Sequence, residues 1–447
     1  MWKLSIPILG SMILETLYNT VDSMWVGRSS VIDLASVNIS SFSIWIMAAL
    51  VAVVTVGANS IIANKVGEAT KRPQAADEAI YIAQWSIMLS AIIGLLEVAV
   101  VIIWGEDILR MTSGGGEDLE AVVQVGYAYL AIFTLATPFF CLCGSFSAIL
   151  RAYGDTQTPL FVDTIGIILN AVLDPILIFG WNFIPSWGAV GAAVASDISI
   201  LVMFLIYIHQ LSQPNCKFII PKTRPQRLKF VDIKEIISIG LPVSASYVIF
   251  SLVYMAVTPV IAHFGPAAVA ALGVGHRMES FNYAICMGIS VACITMVGQN
   301  IGAGLIQRAK EAVMVGVSWA LGINVIVFLA FMFLPGYFAG LFGTDEDMIA
   351  HAISYLKIIA ISQIFSGVCI VLEGAFAGGG RTTPPMCVSI PCSLARIPLC
   401  YWFIFKLDLG LWAVWWTFSL LTILRCCIVM LMFRMGLWVD ETHRGVL

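Results

Sequence analysis

Stretches of twenty or more apolar residues recur from one end of this 447-residue chain to the other. About 20 residues of helix match the hydrocarbon thickness of a bilayer. Inside lipid every backbone N–H and C=O must be satisfied within the protein, so spans of this kind form helices. Only 11% of the residues are charged and 60% are hydrophobic, whereas soluble domains carry about 25% charged residues. The chain therefore reads as an all-α polytopic membrane protein. Twelve spans are expected, near residues 4–27, 41–62, 77–104, 122–149, 160–181, 187–211, 235–262, 269–300, 312–342, 350–377, 384–405 and 411–437.

The basic residues orient these spans. Lys65, Lys71, Arg72, Arg151, Arg308, Lys310 and Arg381 all fall on one side. The positive-inside rule makes that side cytoplasmic, together with both termini. The other side is acidic, with Glu106, Asp107, Glu117 and Asp118 in one loop and Asp345, Glu346 and Asp347 in another. A basic, proline-containing linker over 212–234 divides the chain into two six-helix bundles, 1–211 and 235–447. No cleavable signal peptide is expected, because the first apolar span is too long for one and carries Asp22. The net charge of −4 says little about partners, and the lack of a basic block argues against a nucleic-acid partner. The eleven cysteines lie mostly in apolar spans without CxxC or His/Cys spacing, which argues against a disulfide framework or a zinc site.

The two halves repeat. Ala152-Tyr-Gly-Asp-Thr-Gln-Thr-Pro159 matches Ala377-Gly-Gly-Gly-Arg-Thr-Thr-Pro384, both between the fourth and fifth spans of their halves. Ile6-Pro7 matches Leu241-Pro242. An even number of crossings per half makes the repeat parallel, with a pseudo-twofold axis along the membrane normal and a central cleft suited to alternating access.

Two acids break that symmetry. Asp22 lies in the first span and Asp174 in the fifth. A carboxylate at bilayer depth costs about 2.5–3.5 kcal/mol or more, so such residues normally serve an ion or substrate path. Tyr18 and Asn170 each precede one of them by four residues, on the same helix face. The counterpart of Asp22 falls near Val257 or Thr258, and that of Asp174 within Arg396-Ile-Pro-Leu399, with no acid at either. The first bundle is thus expected to hold the ion or proton site. Pro7, about four turns before Asp22, weakens its helix and is the candidate conformational residue. In the eighth span His276, Arg277 and Glu279 form a candidate secondary polar cluster. Asp163 and Asp197 are expected near the interfaces.

Together, in order, the strings Leu17-Tyr-Asn-Thr-Val-Asp22, Arg151-Ala-Tyr-Gly-Asp-Thr-Gln-Thr-Pro159, Asn170-Ala-Val-Leu-Asp174-Pro, Gly188-Ala-Val-Gly-Ala-Ala-Val-Ala-Ser196 and Val297-Gly-Gln-Asn-Ile-Gly302 resemble the multidrug and toxic compound extrusion family over the full length. The resemblance implies cation-coupled export of amphipathic, often cationic compounds. The acid placement is similar to the DNA-damage-inducible-protein-F-type and archaeal branch. That branch implies a cation site of Asp22, Asn170, Asp174 and a sixth-span hydroxyl, here Ser196, with Na⁺ a candidate at Asp22, Asn170 and Asp174. The branch with a second-half acidic site fits poorly. The seventh span has no acid over Ile239–His263, and Ser366 stands near the expected Asp, with Glu373 seven residues further on.

The expected function is secondary active efflux from the plasma membrane by H⁺ or Na⁺ antiport, with no cofactor beyond the coupling ion. The expected partners are membrane lipids and a small amphipathic drug-like substrate, and the expected state is a monomer. The alternatives are a lipid or lipid-linked oligosaccharide flippase of the same superfamily and, from another class, an intramembrane aspartyl protease. The Asp-bearing spans lack the protease's Tyr-Asp and Gly-x-Gly-Asp pattern, so an enzyme is not expected.

Overall fold

The computed structural model describes residues 2–112, 119–182, 185–213, 230–342 and 345–439. It is helical in all its long elements: α1 (Trp2–Ser29), α2 (Val31–Glu68), α3 (Gln74–Thr112), α4 (Leu119–Leu135), α5 (Thr137–Ala152), α6 (Gln157–Phe179), α7 (Ala189–Leu211), α8 (Phe230–Ala262), α9 (Pro266–Gly302), α10 (Ile306–Phe333), α11 (Pro335–Gly340), α12 (Glu346–Gly378), α13 (Thr383–Leu394), α14 (Arg396–Phe405) and α15 (Trp412–Arg434). Each expected span is met by one helix or by two in succession. Among the described residues ten helices are long and apolar enough to cross a membrane, and an eleventh is gained if the pair α4–α5 counts as one span. α1 runs through Pro7 as a single helix. Most of the basic linker, together with Glu117 and Asp118, lies outside the described residues.

Breaks in the spans have local causes. α4 and α5 bend by 47° at Ala136, where Pro138 enters the first turn of α5 and cannot donate to the preceding turn. Gly94 of α3 packs directly under Pro138, where a Cβ would overlap the proline backbone. The fifth span of the second half is likewise divided, into α13 and α14, at Ala395. Pro391 lies inside α13.

The sequence repeat reappears in the backbone. After α5, Gly154 (φ 90°) turns the chain, and Asp155 N–H donates to Leu150 O at 2.9 Å. After α12, Gly380 (φ 70°) does the same, and Arg381 N–H donates to Phe376 O at 2.9 Å. Both are the left-handed helix stop that a glycine permits. In the first copy the Asp155 carboxylate accepts from Gln157 N and Thr158 N, each at 3.1 Å, and so opens α6.

Two compact units result, Ile6–Ser244 and Ala245–Leu447 with the first five residues. The first is built around a core that includes Ile62, Trp85, Phe146, Tyr207 and Ile236. Within it, α8 lies so close to α2 that a Cβ on Gly240 would overlap the Val53 carbonyl. The second unit has one core around Val257, Tyr355, Trp415 and Phe418 and another around Val313, Phe376 and Trp438.

Candidate functional site

In the first unit α6 and α7 form the floor of a polar site. Close packing of small residues lets them approach. A Cβ on Gly191 would overlap the Leu177 carbonyl, and Trp187 N–H and Gly188 N–H donate to Leu177 O and Ile178 O, both at 3.1 Å. Small residues at such crossings are the usual device of membrane bundles. The approach brings Ser196 of α7 onto Asn170 of α6. Asp174 is fully buried, with 0% exposure, and Asn170 is 1% exposed. Pro175 follows Asp174 inside α6; lacking an N–H, it leaves the Ala171 carbonyl without its helical donor.

Asn170 has two possible amide orientations. In one, its Nδ2 donates to Ser196 Oγ at 3.2 Å and its carbonyl faces the Asp174 carboxylate. Turned over, Nδ2 donates to Asp174 Oδ2 at 2.8 Å, while the carbonyl accepts from Ser196 Oγ and Ser196 N, both at 3.2 Å. The turned-over orientation satisfies both ends of the amide and is the one the surroundings select; the other would set the Asn170 carbonyl against the Asp174 carboxylate, acceptor to acceptor.

α1 completes the group. The Tyr18 and Ser196 hydroxyls share a hydrogen bond of 2.9 Å. Asp22, one turn further along the same face, is half-buried, and the two aspartates are near enough to repel each other. Asp22 Oδ1 and Asp174 Oδ1 are both buried without a hydrogen-bond partner among the described residues. Buried polar atoms are normally paired, so these two oxygens are free for an incoming ligand. The donor set is all oxygen, which suits H⁺ or a hard monovalent cation. Tyr18, Asp22, Asn170, Asp174 and Ser196 are thus brought together by the fold.

Two residues join them that the sequence reading did not place there. Tyr129 of α4 is buried and within electrostatic reach of Asp22, Tyr18, Asp174 and Asp197. Asp197, expected to lie near an interface, is half-buried beside Ser196 with an unpartnered, buried Oδ1. Its adjacency to Ser196 was the available signal; for Tyr129 there was none beyond a tyrosine in an apolar span. Asp163 is half-buried on α6, in reach of Arg151 and Glu15.

The eighth-span residues do not form one cluster. Arg277 is exposed. His276 packs edge-on against Tyr254, with centroids 4.2 Å apart. Glu279 instead accepts from the Tyr355 hydroxyl at 2.8 Å and from Gln363 Nε2 at 2.5 Å. Gln363 Oε1 and Asn324 Oδ1 each accept from Asn282 Nδ2 at 2.8 Å, so a chain of amides joins α9, α10 and α12. Arg396 of α14 is within electrostatic reach of Glu279. Glu373 pairs with Arg425 at 3.1 Å and accepts from Ser389 at 3.1 Å.

The family model MatE matches residues 7–176 and 242–402, one segment in each half. A probable multidrug resistance protein NorM from Thermotoga maritima is 27% identical over 443 residues, covering 98% of this chain and 92% of that one. The multidrug export protein MepA of Staphylococcus aureus is 24% identical over 453 residues, covering 99% and 95%. A FAD transporter of Shewanella oneidensis is 27% identical over 285 residues, covering 63% and 62%. Among solved structures, a multidrug resistance MATE transporter in an outward-facing conformation superposes with a TM-score of 0.88 at 24% identity, covering 97% of this chain and 94% of that one. A transporter of the same superfamily from Pyrococcus furiosus superposes at 0.89, also at 24% identity and the same coverage. These superpositions establish the shared fold. With the family model matched in both repeats and over most of its length, this chain belongs to the MatE family of multi-pass membrane transporters.

Proposed function

We propose that this protein exports amphipathic, often cationic compounds in exchange for H⁺ or Na⁺, and that the coupling cation binds between Asp22 and Asp174. The observation that carries the reading is the pair of buried, unpartnered carboxylate oxygens on two facing helices, Asp22 Oδ1 and Asp174 Oδ1. Two close carboxylates titrate as a pair, so uptake of one cation changes the charge of the whole site. A cation between them holds the carboxylates together, and without it their charges repel. Tyr18 passes this difference to α1 through its bond to Ser196. A ligand shifts a conformational equilibrium only by its differential affinity for the two states; here the difference is the charge between α1 and α6.

The relatives' names support a multidrug exporter, as in NorM and MepA. Both termini are assigned to the cytoplasmic side of the plasma membrane by the distribution of Lys and Arg. The test is efflux of a cationic dye from proteoliposomes under imposed pH or Na⁺ gradients. Transport should follow one of the two gradients and should be lost in the Asp22→Asn/Asp174→Asn variant. Undiminished gradient-driven efflux by that variant would refute the assignment.

A further inference from the structure

Arg396 is a cation buried in the second unit, at the start of the segment Arg396-Ile-Pro-Leu399 within which the counterpart of Asp174 falls. It is 5% exposed. Its Nη2 donates to Thr422 Oγ1 at 2.9 Å, and the Tyr254 hydroxyl is also within hydrogen-bonding reach of the guanidinium, but Nε and Nη1 are buried with no hydrogen-bond partner among the described residues. Aromatic rings surround it, with the Cζ atom 5.2 Å from the Phe418 centroid, 5.8 Å from Phe250 and 5.9 Å from Tyr254. Ring faces stabilise the charge in part, yet they accept no conventional hydrogen bond. A buried guanidinium is normally paired with a carboxylate or other strong acceptor. The carboxylate in electrostatic reach, Glu279, is already committed to Tyr355 and Gln363. Phe250, Tyr254, His276 and Glu279 are half-buried, so the cage opens on their side.

We propose that Arg396 and its aromatic cage form an anion-binding site in the second unit, for a carboxylate or phosphate group attached to a flat apolar body. Nε and Nη1 supply charge-assisted hydrogen bonds to the anion, and the rings of Phe250 and Tyr254 receive the flat body. Glu279 sets the strength of binding by partly cancelling the guanidinium charge. The site extends the range of ligands from cations to compounds bearing an anionic group, or to a lipid headgroup of the same chemistry. It involves none of the residues of the first-unit cation site, and its test needs no gradient. Failure of cation coupling and failure of anion binding are therefore separate results.

The test is calorimetric titration of the full-length protein in a neutral detergent with 2-naphthoate and with its uncharged isostere 2-naphthamide. Naphthoate should bind roughly tenfold or more tightly than the amide, the scale expected of a charge-assisted hydrogen bond. Arg396→Met should abolish the preference. Glu279→Gln should tighten naphthoate binding several-fold and leave the amide unchanged, a gain that misfolding cannot mimic. Displacement of naphthoate by phosphatidylglycerol but not by inorganic phosphate assigns the site to a lipid headgroup; displacement by neither assigns it to a soluble organic anion. Equal binding of naphthoate and naphthamide, a preference that survives in folded Arg396→Met, or unchanged naphthoate affinity in Glu279→Gln overturns the proposal.

Discussion

The hydroxyls of Tyr18 and Ser196 lie 2.9 Å apart although 178 residues separate them in the chain. This bond ties α1 to α7 beside the buried amide of Asn170, and Tyr18 stands one turn from Asp22. The first helix is thereby attached to the polar site through Tyr18, one turn before Asp22.

Removing the Tyr18 hydroxyl tests that attachment. Tyr18→Phe keeps the ring and deletes one hydrogen bond, worth about 1 kcal/mol, so affinity for the coupling cation should fall about fivefold. Ser196→Ala should do at least as much, because it also removes a partner of Asn170. Ser196→Thr keeps the oxygen and should stay near the parent. The check is the Na⁺ or H⁺ concentration that gives half-maximal efflux in proteoliposomes.

Asp174 and Asp22 should differ when changed singly. Asp174 is fully buried and bonded to the turned-over Asn170 amide, whereas Asp22 is half-buried. Asp174→Asn should therefore reduce gradient-driven transport more than Asp22→Asn. Typical coupling free energies place the Asp174 loss on the order of 5–150-fold. Initial efflux rates with the gradient imposed and then collapsed measure it, and the reverse ranking would count against Asp174 as the centre of the site.

In the second unit, Arg425→Met should strand the Glu373 carboxylate. Breaking a fully buried pair costs about 3–5 kcal/mol. This pair keeps some exposure, 18% for Arg425 and 29% for Glu373, so a loss of roughly 2 kcal/mol is expected after allowance for solvent screening. Adding Glu373→Gln should restore most of it. Thermal melting of the parent and the two variants in detergent decides the matter; equal melting temperatures for the single and double variants would exclude an energetic role for the pair.

Gly240→Val should destabilise the first unit by about 1–3 kcal/mol, the usual penalty for overpacking. Its Cβ would overlap the Val53 carbonyl on α2, and a backbone atom cannot rotate away as a side chain can. The same substitution at Gly273, which has open space within 4 Å, is the control for helix propensity. The difference in melting temperature between the two variants gives the steric part alone.

Spans and repeat were legible because each rests on a local rule. Apolar length marks a helix, and Gly154 and Gly380 mark matching stops. Asp22 and Asp174 stood out because a charge in an apolar run has no packing explanation. What could not be read was lateral placement. Nothing in the sequence says that Tyr129 reaches the acids, or that Glu279 turns to Tyr355 and Gln363 rather than to His276. Such choices depend on which helices meet, not on spacing along one helix. Arg396 shows the same limit. It was visible as a departure from the repeat, but its unpartnered donors appear only once Phe250, Tyr254, Phe418 and Thr422 are assembled around it.

The amide chain of Asn282, Asn324 and Gln363, ending on Glu279, has a consequence for biogenesis. Each of α9, α10 and α12 enters the bilayer carrying an amide that its own helix satisfies only in part: Asn324 Nδ2 reaches Ala320 O, and Asn282 Oδ1 accepts from Cys286. In hydrocarbon such a group favours association with any helix that can bond it. The amides find mutual satisfaction at one depth and in one rotation of the three helices. They therefore act as matching labels during insertion, selecting the native neighbours from other helices that are equally apolar.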